Sequence, residues 1–294
     1  MKLNCSIDKI KRLTPGDAKK ILDTDTKGAF QLLDVRQPRE YESGHIPGAK
    51  LIPLGELEYR YGELGNDRGI ISYCRTGHRS MAASTLLCGL GFENVYNLSG
   101  GIRAWDYEVI KGTTEDKLIT GGEETFDVLI VALMLEKGAL EFYTKAQGLV
   151  KDAKAAQVFQ RLVAMEDTHL QRLYARYNQL LWEMKSLLGA ADELPSLDQL
   201  KAELSTAYME GGTRINEELV KIKDSAFMDD LEALEIGLEK EYTAYDFYKR
   251  AADTVGDNKT RNLLHELAGE EKGHINHLLQ EIERRDLRVL TNDL

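Results

Sequence analysis

The sequence predicts two domains of different class: an α/β domain built on a parallel sheet with flanking helices, then an all-α four-helix bundle. Three observations carry this. Short apolar, β-branched runs alternate with helical patterns through about residue 110, whereas the pattern is helical from residue 123 onward. Four of the five prolines (Pro15, Pro38, Pro47, Pro53) lie early, and only Pro195 lies late. Charge divides at the same place: residues 1–112 hold 16 Lys and Arg against 14 Asp and Glu, a balance of +2, so the remainder carries −13 of a net charge of −11. The first domain is placed at 1–112, a linker at 113–122 and the second domain at 123–294.

In the first domain, residues 28–35 (GAFQLLDV) read as a buried strand, 69–74 (GIISYC) as a second and 94–98 (NVYNL) as a third. A helix from Arg79 to Leu90, stopped by Gly89 and Gly91, lies between the last two. Strand, helix, strand in this order implies parallel pairing, and ligands in such sheets bind outside the carboxyl ends of the strands. Cys74 stands at that end. The loop Arg75-Thr76-Gly77-His78-Arg79-Ser80 follows and opens into the helix. Backbone N–H groups in such a loop converge, and the helix N-terminus adds partial positive charge, so a thiolate or small anion is favoured there. On these residues alone a buried, inert core cysteine is equally open.

The segment Cys-Arg-Thr-Gly-His-Arg-Ser (74–80) resembles the active-site loop of the rhodanese family, Cys-x-x-Gly-x-Arg-Ser. Leu33-Asp34-Val35-Arg36 with Glu40-Tyr41, Gly44-His45-Ile46-Pro47-Gly48-Ala49, and Gly100-Gly101-Ile102-Arg103-Ala104-Trp105 match it in order, so that the resemblance covers about residues 5–110. It implies sulfane-sulfur transfer through a persulfide on catalytic Cys74, with Arg75, Thr76, Gly77, His78, Arg79 and Ser80 as substrate-binding residues. The six-residue loop from Cys74 through Arg79 has sulfurtransferase length, whereas related phosphatases have a longer one. Asp34, Arg36 and the segment from His45 to Ala49 are expected to brace the loop. Cys88 is expected in the core, and nothing is assigned to Cys5.

In the second domain, helices are expected at about 124–150, 153–188, 226–253 and 258–285, with a short one at Leu197–Tyr208 in the long link between the pairs. Short links within pairs and one long crossover fit a four-helix bundle. An internal repeat carries the chemistry. Glu136, Ala139, Tyr143, Glu166 and His169 recur 105 residues later as Glu241, Ala244, Tyr248, Glu271 and His274. Glu and His at i and i+3 share one helix face. Two such helices and two more with one Glu each set four carboxylates and two imidazoles at one level of the interior. Four buried carboxylates cannot stay ionised together without cations, and two divalent ions neutralise them. A lone Glu-x-x-His would read as solvated charge; two copies at one offset favour a metal site. Tyr143 and Tyr248, nearly two turns beyond their Glu on the same face, are positioned to hydrogen-bond to the ligands. His265 and His277 fall outside the repeat and are expected at the surface or bundle edge.

This half resembles the ferritin-like superfamily, most closely the rubrerythrin-type di-iron proteins, over about residues 123–285. The resemblance implies two iron ions held by Glu136, Glu166, His169, Glu241, Glu271 and His274, although such ligands also accept manganese or zinc. It further implies redox activity toward peroxide or dioxygen. Two departures stand out: Ala244 replaces a ligand-type Glu usual in rubrerythrins, and the cysteines of a rubredoxin module are absent. Electrons are therefore expected from an external donor.

Composition narrows the remaining choices. The longest apolar run, Val128–Leu135, is eight residues, far below the roughly 20 that span a bilayer. With no apolar leader at the N-terminus, the expectation is a cytoplasmic protein without a membrane role. Net negative charge disfavours nucleic acid. Three cysteines without a Cys-x-x-Cys pair exclude a zinc ribbon or four-cysteine iron centre. A homodimer acting on small sulfur-containing substrates is expected. The alternative is a non-catalytic iron-binding or iron-sensing bundle, with the first domain as a partner-binding module.

Overall fold

Five strands form one parallel sheet in the order β1-β5-β4-β2-β3, with β1 at Lys11–Leu13, β2 at Phe30–Asp34, β3 at Ala49–Leu51, β4 at Gly69–Tyr73 and β5 at Val95–Leu98. The computed structural model describes residues 10–25, 27–112, 118–119, 122–188, 194–204, 207–209, 212–224 and 228–292. Cys5 and most of the expected linker, 113–117 and 120–121, lie outside them. Four helices accompany the sheet: α1 (Pro15–Thr24), α2 (Pro38–Glu42), α3 (Leu57–Arg60) and α4 (His78–Gly89). The inner strands β2, β4 and β5 are largely buried because both faces of the sheet are covered. Leu33, Ile70 and Val95 join Cys74 and Leu87 in one core, while Leu32, Ile71 and Leu98 join Tyr41, Tyr73 and Trp105 in the other. Adjacent residues pointing to opposite faces turn an unbroken apolar run into two cores.

The chain divides into two compact units. The first contains Met1–Thr113 together with Tyr248–Thr254 and Arg261–Lys272, and the second contains the rest. Within the first unit, Lys272 Nζ lies 2.5 Å from Asp23, and Arg68 pairs with Asp253. His265 is buried rather than at a surface or edge. Gly28, at φ +67°, gives it room: a Cβ there would lie 2.1 Å from the His265 Nε2. Burial, then the nearby Lys249 and Arg68 cations, push the His265 pKa down to about 4. His277 is exposed, as expected.

The C-terminal part of the chain is helical. Four long helices occur at α5 (Thr125–Leu149), α6 (Ala153–Leu188), α9 (Asp230–Ala252) and α10 (Asn258–Asn292). The crossover between α6 and α9 holds α7 (Leu197–Glu203), a two-stranded antiparallel ribbon of β6 (Tyr208–Met209) and β7 (Thr213–Arg214), and α8 (Ile215–Asp224). The short helix expected to reach Tyr208 ends at Glu203, because Leu204 is extended and Tyr208 pairs with Arg214 instead. No helix among the described residues is long and apolar enough to cross a membrane.

The ribbon and α8 pack on α5. Gly138 makes this approach possible, since a Cβ there would lie 2.0 Å from the Tyr208 carbonyl oxygen. Gly138→Ala is expected to destabilise the helical part by about 1–3 kcal/mol through overpacking. Gly148→Ala, at an exposed position of the same helix with no heavy atom within 4 Å, is expected to be neutral or stabilising by up to about 1 kcal/mol. Denaturant titration followed by far-UV circular dichroism compares the two.

Candidate functional sites: the Cys74 loop and a carboxylate–histidine cluster

Cys74 follows β4 directly, and Gly77 at φ +95° turns the chain into α4. The Gly77 N–H donates to Cys74 Sγ at 3.1 Å, and the Ser80 Oγ lies 3.6 Å from the same sulfur. Burial pushes the Cys74 thiol up. The Ser80 hydroxyl and the backbone N–H groups of Ser80, Thr76 and Gly77 outweigh it, so the net pKa lies below the ordinary thiol value. The buried, inert alternative is thus disfavoured: the thiol is covered, but its surroundings stabilise its anion.

The loop is held from behind and from one side. The Ile102 N–H donates to the Cys74 carbonyl at 2.8 Å, and that of Arg103 to the Arg75 carbonyl at 3.1 Å. Gly101, at φ +60°, permits this, because a Cβ there would lie 2.2 Å from the Cys74 carbonyl oxygen. Arg79 donates twice to Glu40, both at 2.7 Å, and this holds the Glu40 carboxyl down at about 2. Arg75, Thr76 and His78 are exposed, whereas Ser80 is buried under the sulfur. Asp34 and Arg36 form a buried ion pair at 2.6 Å, Arg36 also donates to the Gly44 carbonyl, and His45 stacks on Tyr41. Cys88 differs from the expected core cysteine. It is half-buried in the last turn of α4, and Cys74 is the free cysteine among the described residues.

The six residues of the helical repeat converge. Ligand atoms of Glu136, Glu166 and His169 lie within 4.8 Å of one another, as do those of Glu166, Glu241 and His274, and those of His169, Glu271 and His274. The two halves repeat in space as in sequence: His169 Nδ1 lies 3.1 Å from a Glu136 carboxylate oxygen, and His274 Nδ1 lies 3.1 Å from one of Glu241. The two imidazoles meet edge to face at 5.2 Å. All four carboxylate residues are fully buried. Burial pushes Glu136 up, but His169 beside it pulls it below the usual carboxylate value.

These residues fit a pair of metal ions. Ligand atoms bound to one cation at about 2.0–2.2 Å each, near a right angle, are separated by about 3 Å. The Nδ1-to-oxygen pairs have that separation in both halves. Oxygen and imidazole donors suit iron, manganese or zinc. Tyr143 and Tyr248 are buried, as is Ala244 at the position of the missing carboxylate.

Sequence reasoning missed Asn97, which accepts the Ser80 hydroxyl at 2.6 Å from β5; an asparagine inside an apolar strand was the available signal. It also missed the buried pair Lys240–Glu218, 2.6 Å apart, which ties α8 to α9 one residue before Glu241. For the loop, alkylation of Cys74 is expected to reach half its maximal rate below the ordinary thiol range, about pH 8.5. Ser80→Ala should raise that midpoint. Gly101→Ala should displace the Cys74–Arg75 backbone and abolish the low-pH reactivity, with pH-resolved iodoacetamide labelling as the measurement.

Comparison with known proteins places both halves. The rhodanese-like domain model matches residues 14–108, and the rubrerythrin model matches residues 127–282. An uncharacterized protein of Bacillus subtilis, YqhL, is 44% identical over 75 residues, 26% of this chain and 60% of its own length. A sulfurtransferase of Allochromatium vinosum is 42% identical over 25% of this chain and 69% of its own length. Thiosulfate sulfurtransferase GlpE of Pseudoalteromonas translucida is 36% identical over 26% of this chain and 71% of its own. The chain spans less than two thirds of YqhL and of a putative sulfur carrier protein of Bacillus subtilis, YrkF, of which it covers 44%. The chain belongs to the rubrerythrin family through its helical half and carries a rhodanese-like domain in its N-terminal half.

Proposed function

We propose that the protein is bifunctional, a Cys74 sulfurtransferase joined to a di-iron redox centre. The observation that carries the first half is a free thiol whose anion is stabilised by N–H donors and Ser80 at the start of α4. With thiosulfate as donor, the Cys74 thiolate attacks the outer sulfur. A Sγ–S bond forms, the S–S bond of thiosulfate breaks, and sulfite leaves with its electron pair. The resulting persulfide passes its outer sulfur to a thiolate or cyanide, which returns the charge to Sγ. Exposed Arg75, Thr76 and His78 are available to an anionic donor, whereas Arg79 is engaged by Glu40 and shapes the loop.

The spatial repeat of the two Glu–His pairs carries the second half of the reading. Glu136, Glu166, His169, Glu241, Glu271 and His274 would hold two iron ions, with manganese or zinc as competitors. When bound, the metal pair supplies redox chemistry toward peroxide or dioxygen. Glu166 falls in groups with residues of both halves, which suits a shared ligand, and Glu271 is its repeat partner. Tyr143 and Tyr248 are read as hydrogen-bonding to the ligands and excluding water around them. An external electron donor and a homodimeric, cytoplasmic protein complete the reading, with no part for nucleic acid or membrane.

Two assays separate the halves. Thiosulfate:cyanide transfer is expected in the native protein and reduced to background in Cys74→Ser; transfer that survives the substitution contradicts the first half. Stopped-flow oxidation of the reduced protein by peroxide is expected to disappear in the Glu166→Ala, Glu271→Ala double variant. Unchanged oxidation would contradict the second.

A further inference from the structure

Asn97 lies beneath the Cys74 loop and belongs to neither motif used above. It sits on β5 opposite Ser72 of β4 and is 4% exposed. Residues two apart on a strand share a face, so Asn97 lies with Val95 on the face that packs under α4. Its Oδ1 accepts the Ser80 hydroxyl at 2.6 Å, while the same hydroxyl oxygen is 3.6 Å from Cys74 Sγ. A serine has one hydroxyl proton. One donor therefore faces two acceptors, and one of them is a sulfur whose charge changes. Against a neutral sulfur, a weak acceptor, the amide oxygen holds the proton. Against a thiolate, whose charge-assisted hydrogen bonds are about twice as strong as neutral ones, the amide loses it. The neighbouring Ser72 hydroxyl is engaged with Ser84, the Ser80 carbonyl and the Tyr96 carbonyl.

We propose that Asn97 is a positioning residue that holds the Ser80 hydroxyl proton while the Cys74 sulfur is neutral and yields it when the sulfur is charged. The proposal rests on the sulfur-transfer reading given above. In that cycle, negative charge leaves Sγ when the Sγ–S bond forms and returns when the acceptor takes the outer sulfur. The Ser80 hydroxyl turns away at the first step and back at the second, with no O–H bond broken. Stabilisation is then directed to the attacking and departing thiolate and withdrawn from the persulfide. The charged and titratable groups about the thiol are Arg79 of α4, paired with Glu40 of α2, the exposed His78 at the start of α4 and the exposed Arg75 of the loop. All four are kept in the variants below.

The test is the pH dependence of Cys74 alkylation by iodoacetamide in the full chain, read on the Cys74 peptide by mass spectrometry. It needs no sulfur donor. Asn97→Leu keeps the number and branching of heavy atoms and removes the acceptor, and is expected to lower the midpoint by about half a unit to one unit. In a Ser80→Ala background the same substitution is expected to move nothing, because no proton remains to compete for. Asn97→Asp, a stronger acceptor, is expected to raise the midpoint, and by more with Ser80 present than without; this serves if the leucine variant fails to fold. An unchanged or raised midpoint in Asn97→Leu, or a shift that persists without Ser80, overturns the proposal. Native protein that transfers no sulfur yet shows these shifts refutes only the sulfur-transfer reading, and the reverse pattern refutes only the role of Asn97.

Discussion

Four carboxylates buried at one level of a helical interior set the terms for the rest of the C-terminal half. Taking a carboxylate from water into a protein interior costs several kcal/mol even after relaxation, and four together, Glu136, Glu166, Glu241 and Glu271, call for compensating positive charge. Two imidazoles on the same faces supply neighbours but not enough charge. A pair of divalent cations does. On the reading proposed above, the long helices, their apolar surroundings and the near-identical Glu–His pairs of the two halves serve to hold six donors at a spacing that cations can satisfy.

The first half handles buried negative charge by another route. A single thiolate needs no counter-ion when N–H dipoles and a hydroxyl point at it, and the start of α4 supplies them within one turn. The neighbouring guanidinium of Arg79 is paired with Glu40, and the sulfur's anion is stabilised first by the Ser80 hydroxyl and then by the backbone N–H groups of Ser80, Thr76 and Gly77. That arrangement leaves the sulfur nucleophilic while it sits inside a packed core. It also places the burden on glycines: Gly77 to start the helix and Gly101 to let the backbone of the next loop close on Cys74.

Both sites were legible in the sequence because each depends on short-range spacing. Cys74 to Ser80 is one turn and one loop, and Glu-x-x-His is one helical turn. The repeat of 105 residues then joined the distant pieces without knowledge of the packing. Long helices were equally plain; the expected 153–188 helix matches α6 in full. What stayed hidden depends on contacts between distant segments. β1 and β3 are three residues each, too short to show a period. The ribbon in the crossover exists because Gly138 offers its backbone a seat on α5, which no local pattern at Tyr208 announces. His265 is buried only because Gly28, far away in sequence, leaves space for its ring. Asn97 looked like one polar residue in an apolar strand until its neighbour in space proved to be Ser80.

The central claim is that the buried carboxylates and histidines are a two-metal site. Elemental mass spectrometry of the full chain, expressed with iron and purified without oxygen, tests it most directly. The account predicts about two irons per chain. Protein that folds with its four carboxylates buried and yet holds no metal under iron-replete conditions would contradict it.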